Sequence, residues 1–301
     1  MAIKKWFILF VLFLMTLSFA QAGELITTVF NVIESTRTEK ILVLSGSDGR
    51  IYKSHKSEAN LKYFKSFLGQ VVKISFYENG KESNIFKIER ANSTEVDPAT
   101  MDLNHFQYNQ LREFAPTDLQ SLETAREIFK GMLNDGDRRR SQCFKRAHMW
   151  AFDMWSKMQI SSQKVFIFYT QRYIQLEDFE WWFHVAPMVV IKGEEYVLDG
   201  TFMKEPITVK EWQNYFIKSE NITCPVAGNY DEYTKNQWNR LCFLMKVPMY
   251  FFSPLDIENR DIKNIPRNHW SLEELQDARR AFKGYETTYE GLDTGKPTIN
   301  H

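Results

Sequence analysis

The sequence predicts an α+β protein, with a small β-rich unit before a larger unit of helices and a mostly antiparallel sheet. In the first third, runs rich in β-branched and aromatic residues end at turn formers such as Asn79-Gly80. From Thr117 onward, helical periods are mixed with short apolar strands, an order typical of α+β folds. Hydrophobic residues make up 44% of the 301 residues, which is enough for a packed core.

The N-terminus has the features of a signal peptide. Lys4 and Lys5 precede an apolar run over residues 6–17, and Ala20 and Ala22 provide a small-residue cleavage site. The run is shorter than the about 20 residues that a membrane span needs, although an uncleaved anchor is an alternative. We therefore expect residues 1–22 to be removed. The mature protein would be secreted or periplasmic, with no stable membrane association.

Residues 23–91 are predicted to form the small β-rich domain. A helical pattern over residues 59–68 interrupts its strands. The predicted strands are Leu25–Ile33, Lys40–Leu44, Gln70–Tyr77 and Asn84–Glu89. Residues 92–116 are rich in turn formers without a sustained period, and we interpret them as a linker.

Residues 117–301 are predicted to form the second domain. Its first helix is expected from Thr117, which has a capping-box partner at Gln120, to about Leu133. The second is expected from Gln142 to Met158 with Ser141 as its cap, and the third from Ser271 to about Gly284. Its strands are expected at Val165–Tyr169, Trp182–Ile191 and Glu195–Leu198, the last two joined as a hairpin.

Charge and histidine spacing argue against two classes of partner. Lys and Arg together number 38, as do Asp and Glu, and this balance argues against nucleic acid. We interpret Arg138–Arg140, a short basic run, as a solvated loop that could also raise the potential near Cys143. The six histidines are scattered without zinc-like spacing, so we expect no metal and no organic cofactor.

The three cysteines suggest one disulfide and one free thiol. In an oxidising compartment Cys224 and Cys242 can pair, a closure worth about 3 kcal/mol in the chain-entropy model. Cys143 is then the odd cysteine and a candidate reactive thiol. The spacing alone does not prove this pairing, and an inert buried thiol is the alternative for Cys143.

Three segments carry a possible catalytic triad. Cys143 lies in the first turn of a predicted helix, where free backbone N–H groups and the helix dipole favour a thiolate. His184 lies in an apolar strand and could act as a general base, although core histidines are common there. Asp199 follows the next strand, where the hairpin would bring it to His184. This order is that of papain and transglutaminases.

These segments resemble bacterial protein-glutaminases. The similar blocks are Cys143-x-x-Arg146-Ala147-His148, Trp182-x-His184-Val185-Ala186-Pro187, Val197-x-Asp199 and Cys242 to Pro254. The resemblance covers about residues 117–254, and Gly200 departs from it where the family would have proline. It implies a papain/transglutaminase-like catalytic domain that hydrolyses glutamine side chains in intact proteins. It also implies that residues 23–116 could be a pro-region.

The resemblance supports further expectations. Cys143 would be the nucleophile, His184 the acid and base, and Asp199 the residue that orients His184. Trp181 and Trp182 could line the substrate groove, whereas His148, five residues beyond Cys143, is expected to be structural. The partners would be proteins with accessible glutamine, and we expect a monomer.

Other functions remain open from the sequence. A transglutaminase would pass the same thioester to an amine, and a papain-like protease would cut the main chain. A non-catalytic exported binding protein could also use this scaffold, because fold does not determine function.

Overall fold

A computed structural model describes most of the chain between residues 21 and 282. The described residues are 21–46, 49–79, 82–91, 114–132, 143–177, 179–218, 221–263, 267, 270–279 and 282. Residues 1–20 of the expected signal peptide, most of the expected linker, Arg138–Arg140 and Ser141 lie outside these ranges. No helix among the described residues is long and apolar enough to cross a membrane. The mixed α+β class is confirmed.

The N-terminal unit is a closed five-stranded barrel. Its strands are β1 (Gln21–Glu34), β2 (Lys40–Ser45), β3 (Ile51–His55), β4 (Val71–Asn79) and β5 (Glu82–Arg90), and α1 (Glu58–Lys65) lies between β3 and β4. The barrel order is β1-β2-β3-β5-β4, with β3 and β5 parallel and the other neighbours antiparallel. This topology, with the helix after the third strand, is that of an OB-fold. Strand β3 was not predicted from the sequence.

Strand β2 is apolar on both faces because the barrel packs against the second unit. Ile41 and Val43 point into the barrel core, whereas Leu42 and Leu44 belong to the core of the second unit. Successive side chains of a strand point to opposite faces, which explains the alternation. The face that OB-folds commonly use to bind ligands is therefore occupied by the rest of this chain.

The second unit is built on a six-stranded sheet. Its strands are β6 (Asp118–Leu119), β7 (Gln163–Tyr169), β8 (Phe183–Ile191), β9 (Glu194–Val197), β10 (Ile207–Thr208) and β11 (Cys242–Pro248). The order is β10-β9-β8-β7-β11 with antiparallel pairs, and β6 pairs in parallel with β8. The turn between β8 and β9 uses Lys192 and Gly193, both with positive φ.

Seven helices are described around this sheet. They are α2 (Leu122–Gly131), α3 (Cys143–Met158), α4 (Gln171–Glu177), α5 (Val209–Ile217), α6 (Tyr230–Lys235), α7 (Pro254–Lys263) and α8 (Leu272–Arg279). Helix α3 packs against β8 and α8. This packing holds the N-terminus of α3 beside the central strand of the sheet.

The predicted start of the first of these helices was wrong. Ser121, not Thr117, caps α2, and its Oγ accepts a hydrogen bond from the Thr124 N–H at 3.1 Å. Thr117 instead accepts a hydrogen bond from the Ser161 N–H through its Oγ1. The cause is tertiary, because the residues after Thr117 are extended as β6 and pair with β8.

Candidate active site

Cys143 is the first described residue of α3 and the only free cysteine among the described residues. It is buried, with 5% of its surface exposed. The next residue, Phe144, packs on Phe183 and Phe252, which fixes the start of the helix against β8 and the chain after β11. The first backbone N–H groups of a helix have no partner within the helix, and they favour negative charge nearby.

His184 lies one residue inside β8 and connects the thiol to a carboxylate. Its Nε2 lies 2.7 Å from Oδ2 of Asp199, and Cys143 lies close enough to the ring to contribute to raising the pKa of the imidazole. Because Nε2 is hydrogen-bonded to the carboxylate, Nδ1 is the ring nitrogen that can interact with the thiol. Asp199 lies two residues after β9, the strand that pairs with β8, so the hairpin sets the distance between the two side chains.

Asp199 is held by a set of donors that keep it charged. Its Oδ2 accepts a hydrogen bond from Trp212 Nε1 at 3.0 Å, and its Oδ1 accepts one from the Thr201 N–H at 3.2 Å. Burial disfavours the charged carboxylate. The charge of His184 and these hydrogen bonds outweigh burial and lower the pKa of Asp199 below its ordinary value.

His184 is held in its protonated form. Burial opposes a charged imidazole, but the Asp199 carboxylate and the interaction with Cys143 outweigh burial and raise the pKa of His184 to about 9. At neutral pH the site therefore contains an imidazolium beside a buried thiol and a buried carboxylate. Such an arrangement suits covalent acyl transfer, with the imidazolium as the proton donor.

Several residues of the site were missed by the sequence analysis. Trp212 donates to Asp199, and Arg146 donates through Nε to Thr201 Oγ1 at 2.9 Å, which links the cysteine helix to the turn after Asp199. Phe216 packs on the imidazole with ring centroids 4.5 Å apart. Arg146 belongs to the sequence block around Cys143 that resembles protein-glutaminases. No local pattern pointed to Trp212, which lies 13 residues beyond Asp199.

The two tryptophans predicted to line the substrate groove contact the barrel. Trp182 is fully buried, stacks on Phe30 with centroids 4.2 Å apart, and donates through Nε1 to the Ser45 carbonyl. The guanidinium of Arg50 lies 5.6 Å from the ring of Trp181. Substrate contact by these tryptophans thus stays a prediction, which would require the barrel to leave.

A backbone connection brings the barrel close to His184. The Ile51 N–H donates to the Glu180 carbonyl, and the Trp182 N–H donates to the Gly49 carbonyl. Gly49 has a φ of 71°, and a Cβ there would lie 2.5 Å from the ring of Phe183. Only glycine allows the backbone at position 49 to lie this close to Phe183, which is the residue before His184.

His148 lies away from the triad in a buried polar cluster. Its Nδ1 is 2.6 Å from Nζ of Lys164, and its ring packs against Phe252 and Trp270. Burial, with the charges of Lys164 and Arg267, lowers the pKa of His148 well below its ordinary value. These contacts place His148 in the packing of the core, away from the triad.

The predicted disulfide is confirmed. Cys224 and Cys242 are joined, which ties the segment after α5 to the first residue of β11. Within the described ranges, no group of three or more histidine, cysteine, aspartate or glutamate side chains could hold a metal ion.

The segment that carries this site matches a known protein family. A family model described as "Glutaminase" matches residues 123–216, a segment that contains Cys143, His184 and Asp199. The resemblance to protein-glutaminases is confirmed. No curated protein matches the chain.

One solved structure of a pro-protein-glutaminase shares the fold. The crystal structure of a pro-protein-glutaminase has a TM-score of 0.51 at 14% identity, over 86% of this chain and 92% of that chain. Its A47Q2 mutant has a TM-score of 0.49 at 14% identity, over 77% and 85%. The NMR structure of protein-glutaminase from Chryseobacterium proteolyticum has a TM-score of 0.30 at 14% identity, over 46% and 77%. The latter two scores are too low to support a structural argument.

Proposed function

We propose that this chain is an exported protein-glutaminase that converts protein-bound glutamine to glutamate and ammonia. The observation that carries the proposal is the His184–Asp199 hydrogen bond beside the buried Cys143 thiol, within the segment that matches the glutaminase model. The chemistry is that of a cysteine-dependent amidohydrolase on a papain/transglutaminase-like scaffold, and it requires no cofactor.

The first half of the reaction forms a thioester. The Cys143 thiolate attacks the side-chain amide carbon of glutamine, and the amide oxygen becomes an oxyanion that backbone N–H groups at the start of α3 can stabilise. His184, as imidazolium, gives its proton to the leaving nitrogen, and ammonia departs. Asp199 keeps the imidazole oriented and stabilises its charged form.

The second half restores the enzyme. Neutral His184 takes a proton from a water molecule, which attacks the thioester carbon. The tetrahedral intermediate collapses with the thiolate as leaving group, and the substrate side chain leaves as a carboxylic acid. Each turnover consumes one water and releases one ammonia, and the proton returns to His184.

The N-terminal barrel is proposed as a removable pro-region. Its support is the position of the barrel beside the site, where Gly49 and Arg50 contact the residues before His184. In this proposal, release of the barrel would expose Trp181 and Trp182 for substrate binding. Limited proteolysis between Asn92 and Pro116 should then increase activity, and equal activity before and after cleavage would remove the pro-region proposal.

The decisive experiment compares the full chain with Cys143→Ala, before and after limited proteolysis, on an unfolded glutamine-rich protein. Free ammonia and the intact mass of the substrate are followed. We expect ammonia from the wild type only, with a mass gain of about one unit per event, because an amide NH₂ becomes OH. Lys157→Ala is a matched control, since this exposed residue lies on the same helix.

The same experiment separates the other candidate functions. Incorporation of an added primary amine would indicate a transglutaminase, and new peptide termini would indicate a protease. An unmodified substrate, with identical behaviour of wild type and Cys143→Ala, would favour a non-catalytic binding protein and would contradict the proposal.

A further inference from the structure

An aromatic cluster lies against the imidazole of His184, on the side of α5 and the turn after Asp199. The ring of Phe202 meets the imidazole edge-on with centroids 5.1 Å apart, and Phe216 packs on it at 4.5 Å. Tyr215 extends the cluster outward, with its ring 6.3 Å from Phe202 and 5.1 Å from Phe216.

The members of this cluster differ sharply in exposure. Phe216 is only 9% exposed and His184 only 7%, whereas Phe202 is 41% exposed and Tyr215 is 51% exposed. Phe216 therefore covers the imidazole, and Phe202 and Tyr215 form an apolar surface that faces solvent. Adjacent exposed aromatics that border a polar site are typical of a binding surface rather than of packing.

The surface is within reach of a substrate that reacts at Cys143. Phe202 contacts the imidazole of His184, and Cys143 lies close enough to the same ring to contribute to its pKa, so the reacting amide and Phe202 both lie near one side chain. Neighbouring Cα atoms in a peptide are only about 3.8 Å apart. When a glutamine amide is at the sulfur, the side chain of an adjacent substrate residue can contact Phe202 and Tyr215.

We propose that Phe202 and Tyr215 bind the residue next to the target glutamine, and that the enzyme prefers glutamines with an apolar or aromatic neighbour. The occupant is a segment of the substrate protein, since the surface is continuous with the proposed catalytic site. This inference rests on the proposed function and specifies the substrate class of the same site.

The test uses pairs of short peptides that contain one glutamine and differ only in its neighbour, which is phenylalanine in one peptide and serine in the other. Ammonia release by the full chain, cut in the linker, gives kcat/KM for each peptide. We expect the wild type to prefer the phenylalanine peptide about tenfold, which corresponds to ~1.4 kcal/mol of contact energy. The difference should lie in KM, because the contact is made before the chemical step.

The variants Phe202→Ala and Tyr215→Ala should bring the ratio of the two peptides close to one, because KM for the phenylalanine peptide rises more than KM for the serine peptide. Phe202→Leu keeps an apolar side chain and should restore most of the preference. Trp238→Ala removes an exposed aromatic elsewhere in the second unit and should leave the ratio at the wild-type value. The ratio is independent of how much protein folds, because both peptides meet the same enzyme.

Three outcomes would overturn the inference. If the wild type is active but does not distinguish the two peptides, the inference is overturned and the proposed function stands. An equal loss of kcat for both peptides in Phe202→Ala and Tyr215→Ala would assign these rings to packing and would also overturn it. Absence of ammonia from either peptide and from the glutamine-rich protein would overturn the proposed function, and the inference with it.

Discussion

Replacement of Asp199 by Asn tests the electrostatic basis of the site. The carboxylate is the larger of the two influences, with Cys143, that hold the pKa of His184 at about 9 against an ordinary value of 6.5. At ~1.36 kcal/mol per pH unit, that difference is about 3 kcal/mol in favour of the imidazolium. An asparagine keeps the shape but loses the charge, so burial should lower the pKa of His184 to 6.5 or below.

The variant should therefore lose its protonated histidine at neutral pH. At pH 7 the imidazolium fraction should fall from nearly complete to about a quarter or less. We expect kcat/KM to fall by up to about 10⁴, since replacing the Asp of a Ser-His-Asp triad by Asn lowers kcat by about that factor. The wild-type activity should decline as the pH rises through about 9, where His184 loses its proton. The activity of Asp199→Asn should decline at least two pH units earlier.

The assays are the pH profile of ammonia release, an NMR titration of His184, and the pH dependence of Cys143 alkylation by iodoacetamide. Stability gives an independent check. Since the folded pKa of His184 lies above its unfolded value, the stabilisation is complete below pH 6.5 and is lost as the pH rises through about 9. Asp231→Asn, an exposed acid paired with Lys235, is the control. Identical pH profiles for Asp199→Asn and wild type would refute this reasoning.

Three further predictions follow from the contacts around the site. Trp212→Phe removes one hydrogen bond to a buried carboxylate and should lower kcat/KM about tenfold, because such bonds contribute ~1.5 kcal/mol or more; steady-state kinetics that match the wild type would contradict it. Gly49→Ala should weaken docking of the barrel, since the positive φ and the Phe183 ring both disfavour a Cβ; ammonia release by the uncut chain should rise, and an unchanged rate would count against the pro-region. Replacement of both Cys224 and Cys242 by Ser should lower the free energy of unfolding by about 3 kcal/mol, measured by urea denaturation; an unchanged midpoint would argue against a stabilising role for the disulfide.

Local sequence patterns identified most elements because each reports a local physical preference. The alternating apolar residues and the Asn79-Gly80 turn indicated the strands now seen as β4 and β5, and the spacing of Leu61, Phe64 and Leu68 indicated α1. The error at Thr117 has the opposite origin. A capping-box pattern there is locally valid, but pairing of the next residues with β8 extends the chain.

The sequence by itself determined the chemical identity of the candidate site, because a free cysteine in an early helical turn, a strand histidine and a turn aspartate each have a local signature. It also indicated that Cys224 and Cys242 can pair, on the expectation of an oxidising compartment. Only the tertiary structure decided what surrounds those groups. Trp212 reaches Asp199 from another helix, and Leu42 and Leu44 serve the second unit rather than their own barrel. Such contacts depend on how separate elements pack in space, and no local period or motif encodes that packing.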